Sequence, residues 1–193
     1  MNWETLEKSC RECENCRLAA ARNSVVFGTG PKNAPIMLIG EGPGENEDNM
    51  GLPFVGAAGK LLDDMLEIID LSRNENVYIT NIVKCRPPKN RDPQPDERTA
   101  CLGWLREQMS LLRPKIVVCL GRIAAITLIK PDFKITSEHG QVFDKNGIKF
   151  IAILHPSALL RDPSRRPGTF VDLKKIQSLI YEICPEVYAD IQK

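Results

Sequence analysis

Short apolar runs and amphipathic segments alternate along the chain. The apolar runs, each bounded by Gly, Pro or Asn, predict strands that are buried on both faces, at residues 36–39, 77–83, 116–120 and 150–154. Apolar positions spaced three and four residues apart predict helices over residues 61–69, 96–112, 121–129 and 171–183. Asp96 is the expected N-cap of the second helix, and Arg113 with Pro114 is expected to end it.

Alternating strands and helices predict an α/β fold. We expect a three-layer α/β/α arrangement around a central, mostly parallel sheet of about four strands, with one hairpin signal at Lys145-Asn146-Gly147. A chain of 193 residues with 42% apolar content can bury one good-sized core but is short for two α/β domains. A single domain over residues 1–193 is therefore expected.

Polar, motif-like loops follow three of the predicted strands. Residues 40–56 follow the first strand, residues 81–90 end the second, and residues 155–161 follow the last. Because ligands of parallel sheets bind at the carboxyl ends of the strands, we expect these loops to meet at one binding edge. The basic, proline-rich loop 84–95 is long, as functional loops often are.

The first of these loops combines glycines with carboxylates. Gly40, Gly42 and Gly44 suggest a phosphate cradle, but the loop lacks the Lys and Ser/Thr that a phosphate-binding loop needs. Its four acidic residues would repel a phosphate; they are Glu41, Glu45, Glu47 and Asp48. A phosphate ligand is therefore disfavoured.

Charge and hydropathy place few constraints on partners. The formal net charge of +1 gives no global sign of nucleic-acid binding, although neutrality can hide one basic face. No apolar run approaches the roughly 18 residues of a membrane span, and the N-terminus lacks signal-peptide features. We expect a cytoplasmic protein that does not bind membranes, and a monomer because no oligomerisation signal is visible.

Seven cysteines in such a chain indicate metal ligation or core packing rather than disulfides. Cys119 and Cys184 lie in apolar segments and are expected to pack as small hydrophobic side chains. The remaining five are candidates for ligation: Cys10, Cys13 and Cys16 in a C-x2-C-x2-C motif, and Cys85 and Cys101 further along. Four thiolates suit either an iron-sulfur cluster or zinc, and spacing alone does not choose between them.

Several motifs, taken in their order along the chain, resemble those of a known family. The blocks are GEGPG-x2-ED with GLPFVG, then YITNIVKCRPPKNRDPQPDE, then HPS-x3-R. Together they resemble family-4 uracil-DNA glycosylases, type a, the iron-sulfur branch of that superfamily, over about residues 13–183. The resemblance implies a DNA repair enzyme that flips uracil out of single- or double-stranded DNA. It would hydrolyse the N-glycosidic bond, releasing free uracil and leaving an abasic site, the first step of base excision repair. No lysine is placed for a Schiff base, so strand cleavage is not expected.

The resemblance also implies the cofactor. A 4Fe-4S cluster would be held by Cys13, Cys16, Cys85 and Cys101, with Cys10 outside the ligand set. It would tie the N-terminal arm to loop 84–95. A structural role is expected, because base hydrolysis requires no electrons.

The resemblance also implies that residues of the three loops recognise the base. Phe54 would stack on the flipped uracil. The Asn81 carboxamide would accept from uracil N3–H and donate to O4, a pattern that cytosine reverses. His155 would hydrogen-bond O2 and stabilise the departing anion. Glu47 would lie beside carbon 5, where thymine carries its methyl group. The backbone of Gly42 and Pro43, with Glu41, would complete the pocket.

The group that activates water stays open. Cleavage builds positive charge on the sugar, so a carboxylate nearby is favourable, and Glu41 is the candidate for this electrostatic role. In the best-known branch of the superfamily, the residue two after the first glycine is an aspartate that handles the water. This chain has Gly42 there, which leaves Glu41, Asn90 and Asp92 as competitors.

A basic and apolar rim is expected to press into the duplex. Its members would be Arg161, Arg165 and Arg166 with Leu159 and Leu160. Lys84, Arg86, Lys89 and Arg91 would add a positive stripe, whereas Glu45 and Asp48 are expected to be solvated and His139 is given no role.

Two other classes of protein compete with a turning-over glycosylase. A redox or nucleotide-binding module would use the cysteines but would not require Asn81, Phe54 or His155. A relative that links covalently to the abasic sugar would need a histidine in the long loop. This chain has Asn90-Arg91-Asp92 there, so turnover is favoured.

Overall fold

The computed structural model describes residues 2–189. One sheet contains the strands β1 (Ile36–Gly40), β2 (Val77–Asn81), β3 (Ile116–Leu120), β4 (Val142–Lys145) and β5 (Ile148–Ile153). Their spatial order is β2-β1-β3-β5-β4. Neighbouring strands run parallel except β4, which pairs antiparallel with β5. The expected α/β class is confirmed, with a fifth strand that the apolar runs did not reveal because β4 is largely exposed.

Two residues join β4 to β5. Asn146 and Gly147 have φ angles of 53° and 81°. Left-handed conformations at both positions are the signature of the tight turn that matches strand twist. The predicted hairpin is therefore confirmed.

Helices cover both faces of the sheet. They are α1 (Trp3–Arg11), α2 (Glu45–Met50), α3 (Ala57–Glu67), α4 (Pro95–Leu112), α5 (Arg122–Leu128), α6 (Ile135–Glu138), α7 (Pro156–Arg161) and α8 (Arg166–Ile183). Side chains alternate along each strand, so Met37 and Ile39 join one apolar cluster while Ile36 and Leu38 join the other. Helices α1, α4 and α5 pack in the first cluster, and α3, α7 and α8 in the second. The three-layer arrangement is confirmed.

Helix ends differ from the sequence prediction at α4. The helix begins at Pro95, and Gln94 rather than Asp96 is its N-cap. The Glu97 carboxylate accepts a hydrogen bond from the Gln94 backbone N–H at 2.8 Å, so a glutamate three residues on satisfies the cap. Arg113 ends the helix with a left-handed φ of 53°, as predicted for the C-terminal boundary.

Four helices of residues 2–189 were not predicted: α1, α2, α6 and α7. Helix α1 carries Cys10 into the core beside Leu6, so the cysteine motif starts inside a packed element. Helix α2 lies within the acid-rich loop, and α7 starts directly after His155. Helices α2 and α7 have six residues each, too few for apolar periodicity to reveal them. Within residues 2–189, no helix is both long and apolar enough to cross a membrane.

Candidate active site

The carboxyl ends of β1 and β2 lie side by side. Gly40, the last residue of β1, is the register partner of Asn81, the last residue of β2. A Cβ at Gly40 would lie 2.5 Å from Asn81 Oδ1 and 2.6 Å from Phe54 Cζ. Glycine at position 40 is thus what lets an amide and an aromatic ring share one pocket.

Asn81 presents an unsatisfied acceptor to this pocket. The residue is buried, and its Oδ1 is one of two buried side-chain polar atoms in the described chain that have no hydrogen-bond partner. Leaving a buried acceptor unpaired costs free energy, so such an atom in a folded protein needs a specific explanation. A ligand N–H is the natural partner.

His155 is held as a neutral imidazole. Its Nδ1 accepts from the Ser157 backbone N–H at 3.1 Å and lies 2.7 Å from Ser157 Oγ. Burial, followed by the nearby charge of Arg161, lowers the pKa of His155 to about 4. Because Nδ1 accepts a backbone hydrogen bond, the single proton of the neutral ring resides on Nε2. Nε2 is therefore available as a donor at neutral pH.

Gly121 makes room for His155. A Cβ at Gly121 would lie 2.9 Å from His155 Cβ, and the φ of Gly121 is +90°. The predicted helix over 121–129 gave this glycine no role. Its position directly after the apolar run of β3 is the signal that could have revealed it, since close approaches of this kind gather where strands end.

Phe54 stands opposite the histidine. The two rings have centroids 5.6 Å apart and are tilted by 32°. Phe54 is buried, and its φ of 53° is uncommon for a bulky residue. The structure thus brings Phe54, Asn81 and His155 together, as the three-loop hypothesis expected.

Glu41 follows β1 and faces the same edge. Burial and the neighbouring charge of Asp92 raise the pKa of Glu41 to about 7, although Arg122, Arg161 and Arg98 act in the opposite direction. A carboxyl group with a pKa near neutrality is suited to accept a proton at physiological pH.

The other two candidates for water activation are engaged elsewhere. Asn90 is exposed, and its Oδ1 accepts a hydrogen bond from Arg86 Nε at 2.8 Å. Asp92 is exposed and forms an ion pair with Arg122. Glu41 is therefore the competitor with the most suitable environment.

Glu47 braces the loop. One carboxylate oxygen accepts from the Val55 and Gly56 N–H groups at 2.9 and 3.0 Å, and the other accepts from Gly44 N–H at 3.1 Å. Both oxygens are thus occupied by the backbone, which holds the two sides of the loop together. A wall beside uracil carbon 5 stays a prediction.

Asp48 was wrongly expected to be solvated. It is buried and accepts hydrogen bonds from the backbone N–H groups of Asn23 and Ser24, at 2.9 to 3.1 Å. A short carboxylate can satisfy free amides of a neighbouring irregular segment, and this explains its burial. Glu45 is exposed as expected and pairs with Arg86.

The cysteines of the predicted ligand set surround one cavity. Cys13, Cys16, Cys85 and Cys101 all line it, together with Cys10. Three sulfurs accept N–H hydrogen bonds: Cys13 from Trp104 Nε1 at 3.3 Å, Cys85 from Arg22 Nη1 at 3.5 Å and Cys101 from the Lys84 backbone at 3.3 Å. Such donors stabilise thiolates and tune the iron-sulfur clusters they bind. No three Cys, His, Asp or Glu side chains of residues 2–189 converge as ligands of a single metal ion.

Lys84 is not part of a surface stripe, which corrects the sequence prediction. Its side chain is fully buried, and Nζ donates to Thr80 Oγ1, the Asn81 carbonyl oxygen and Gln108 Oε1 at 2.5, 2.9 and 2.7 Å. A buried ammonium needs such acceptors. The network joins the backbone of Asn81 to the residue that precedes Cys85. The sequence offered no signal for this, because a lysine in a basic loop usually lies at the surface.

The apolar rim is also corrected. Leu159 is 1% exposed and belongs to the core, whereas Leu160 is 40% exposed. On the short helix α7, adjacent residues point in different directions, so only one of the pair can reach outward. Arg161 and Arg165 are exposed, as expected. Arg165 pairs with Asp162 at 3.0 Å.

Comparison with known proteins shows the family of this chain. Residues 27–176 match the Uracil DNA glycosylase superfamily. The chain is 43% identical to a type-4 uracil-DNA glycosylase of Archaeoglobus fulgidus, over 96% of this chain and 98% of that protein. It is 40% identical to one from Thermotoga maritima, over 92% and 94%, and 36% identical to a type-5 enzyme of Pyrobaculum aerophilum, over 67% and 64%. The chain belongs to the uracil-DNA glycosylase superfamily.

Proposed function

We propose that this chain is a monofunctional uracil-DNA glycosylase that acts as a single chain, releases free uracil and leaves an abasic site. Family membership supports uracil excision in DNA repair. The observation that carries the residue assignments is the buried Asn81 Oδ1, which lacks a partner beside the Phe54 ring.

Uracil supplies what this pocket lacks. Its N3–H can donate to Asn81 Oδ1, and its O4 can accept from the Asn81 amide nitrogen. Cytosine presents an acceptor and a donor at the equivalent positions, so it would leave the buried amide unsatisfied. The Phe54 ring replaces the stacking that the base loses when it leaves the helix, a contribution of roughly 1 to 3 kcal/mol.

His155 stabilises the leaving group without giving up its proton. When the bond between C1′ and N1 breaks, its electron pair leaves with uracil as an anion. The Nε2–H of the neutral imidazole donates to O2, where part of that charge develops. Because the pKa of His155 is about 4, the imidazole stays neutral above mildly acidic pH.

Glu41 acts on the sugar side. Its carboxylate stabilises the positive charge that builds at C1′, and it accepts a proton from the attacking water as the new C1′–O bond forms. The chain needs no aspartate in place of Gly42, because Glu41 next to it has a pKa near 7.

The four cysteines suit a 4Fe-4S cluster. Cys13, Cys16, Cys85 and Cys101 would hold it, which agrees with their shared cavity and with the N–H donors to three of the sulfurs. Each thiolate of such a cluster binds a different iron, so the sulfurs need not converge on one point. When bound, the cluster supplies a covalent tether between the N-terminal arm and loop 84–95.

Cluster binding is tested by iron and sulfide content and by visible absorption. We expect Cys101→Ser to lose both iron and absorption. Cys10→Ser is the matched control, because Cys10 lines the same cavity but is outside the proposed ligand set. Zinc in place of iron, or loss of iron in C10S, would contradict the assignment.

DNA contact is assigned to the surface that follows His155. Arg161, whose charge acts on both Glu41 and His155, lies near the pocket and is exposed. We assign Arg161 and Arg165 to phosphates and the exposed Leu160 to the gap left by the flipped base.

Excision is tested on a labelled oligonucleotide with one uracil, and on thymine and cytosine controls. Strand cleavage should follow alkali treatment of the uracil substrate only. Asn81→Asp, which changes the donor pattern of the pocket, should lower uracil excision and raise the ratio of cytosine to uracil excision. Asn74→Asp, at an exposed asparagine, is the matched control. Unchanged selectivity in N81D would refute the recognition role of Asn81.

A further inference from the structure

The backbone of Phe54 is held in an unfavourable conformation. Its φ of 53° lies in the left-handed region, where a bulky residue is strained and persists only if its surroundings hold it. The ring is nevertheless buried against His155 and over Gly40. Something outside the ring must therefore fix the main chain at this point.

The guanidinium of Arg73 contacts this segment. Nη1 donates to the Pro53 carbonyl oxygen at 3.1 Å, and Nη2 donates to the Phe54 carbonyl oxygen at 2.9 Å. The side chain of Arg73 is only 17% exposed, so these bonds face little competition from water. Hydrogen bonds from a charged donor are the stronger kind.

Arg73 is itself anchored to α3. Its Nε donates to Asp63 Oδ1 at 2.7 Å, and Nη2 also approaches the Gly59 carbonyl oxygen at 3.5 Å. A Cβ at Gly59 would overlap the Phe54 carbonyl, so the helix and the loop are in direct contact. One planar group thus joins the helix to two successive carbonyls of the loop.

We propose that Arg73 is a positioning residue for uracil excision, acting through Phe54. By binding the Pro53 and Phe54 carbonyls it holds the left-handed backbone, and the backbone holds the ring at the height where a flipped base stacks. This inference rests on the proposed role of Phe54. Arg73 does not contact the base and is not a catalytic residue.

A lysine cannot replace this arginine. The guanidinium directs its N–H groups in a fixed plane towards two carbonyls and a carboxylate at once, whereas an ammonium is a point charge on a flexible stem. Arg73→Lys keeps the charge and much of the apolar stem. It is therefore expected to retain the fold while loosening the ring.

The test is a double-mutant cycle with single-turnover kinetics. We expect R73K to slow excision at saturating DNA by about 10- to 100-fold, because a misplacement of about 1 Å in an active site can reduce the rate by about this much. The dissociation constant for uracil-containing DNA should stay within about twofold, because contacts to phosphates outside the pocket supply most of the affinity for DNA. In a Phe54→Leu background, adding R73K should change the rate less than about threefold, since the ring it positions is gone.

Two further measurements distinguish misplacement of the Phe54 ring from loss of the fold. Urea midpoints of all variants show whether each is folded at the assay temperature. Inhibition by free uracil measures how well the pocket binds the base, even when excision is too slow to measure. Arg106→Lys, at an exposed arginine on α4, is the matched control and should leave the rate unchanged.

Each outcome has a distinct meaning. Equal effects of R73K in the native and F54L backgrounds, or an unchanged rate in R73K, would overturn the inference. The inference would be supported if free uracil inhibited R73K more weakly than the native protein, while R73K/F54L and F54L were inhibited equally. Failure of the unmodified protein to excise uracil would instead refute the proposed function.

Discussion

Replacing Glu41 with glutamine is expected to make the protein more stable and less active. The folded protein resists ionisation of this carboxyl group, chiefly because of burial and then because of Asp92. A raised pKa means that the group contributes its stability fully below the unfolded pKa and that this stability is lost as pH rises through the folded value. At neutral pH and above, the enzyme therefore carries a carboxylate that weakens its fold.

The size of this effect follows from the pKa shift. The pKa rises from 4.5 to about 7, and each unit corresponds to about 1.4 kcal/mol, which sets an upper bound of about 3 kcal/mol. Because Glu41 is partly exposed, solvent screening reduces this, and we expect about 1 to 2 kcal/mol. The stability advantage of Glu41→Gln should appear between pH 5 and pH 8.5.

Urea denaturation at the two pH values measures the difference in unfolding free energy between variant and native protein. For a protein of this size, 1 to 2 kcal/mol corresponds to a melting temperature higher by about 2 to 8 °C. Glu45→Gln is the matched control, since Glu45 is an exposed carboxylate on the same loop. Its stability relative to the native protein should not change with pH.

Kinetics should show the opposite sign. If the carboxylate accepts the proton of water, single-turnover excision by the native protein should rise with pH through about 7. E41Q should be slower by about 100-fold or more and should lack this rise. The reasoning would be refuted if the stability advantage of E41Q over the native protein were no larger at pH 8.5 than at pH 5, or if E41Q kept the rise in rate.

Two further predictions concern Gly40 in the pocket and the leucine pair Leu159 and Leu160 on α7. Gly40→Ala should reduce excision by about 100-fold or more while the protein stays folded, since the added methyl would lie 2.5 Å from Asn81 Oδ1 and 2.6 Å from Phe54 Cζ. Single-turnover rates and circular dichroism would check it, and near-native activity would contradict it. Leu159→Ala should cost about 2 to 5 kcal/mol in urea denaturation, because Leu159 is buried. Leu160→Ala should leave stability unchanged and slow excision roughly three- to tenfold on duplex but not single-stranded DNA; equal effects of the two variants on stability would refute the distinction.

Apolar patterning was enough to predict the class of fold. Uninterrupted runs such as residues 116–120 report burial on both faces of a parallel sheet, and such a sheet brings the carboxyl ends of its strands to one edge. The convergence of Phe54, Asn81 and His155 could be predicted for this reason. The exposed strand β4 and the short helices α2 and α7 could not, because they carry little apolar signal.

The environment of each polar group depends on contacts between segments that are distant in sequence. Lys84 and Asp48 read as surface charges in the sequence but are buried, because acceptors or amides from distant segments meet them. Leu159 and Leu160 are indistinguishable in sequence, and only the direction in which α7 presents them assigns one to the core.

Local patterning and motifs in the amino-acid sequence were enough to predict the order of the main strands and helices and the edge of the sheet where the motif-bearing loops meet. Only in the folded chain does burial lower the pKa of His155 and raise the pKa of Glu41, and only there does Arg73 reach the Phe54 carbonyl. Apolar periodicity is a local property, because it depends only on residues that are close together in sequence. Protonation, burial and the pairing of hydrogen-bond groups depend on the surrounding dielectric and on residues far apart in sequence, which come together only on folding.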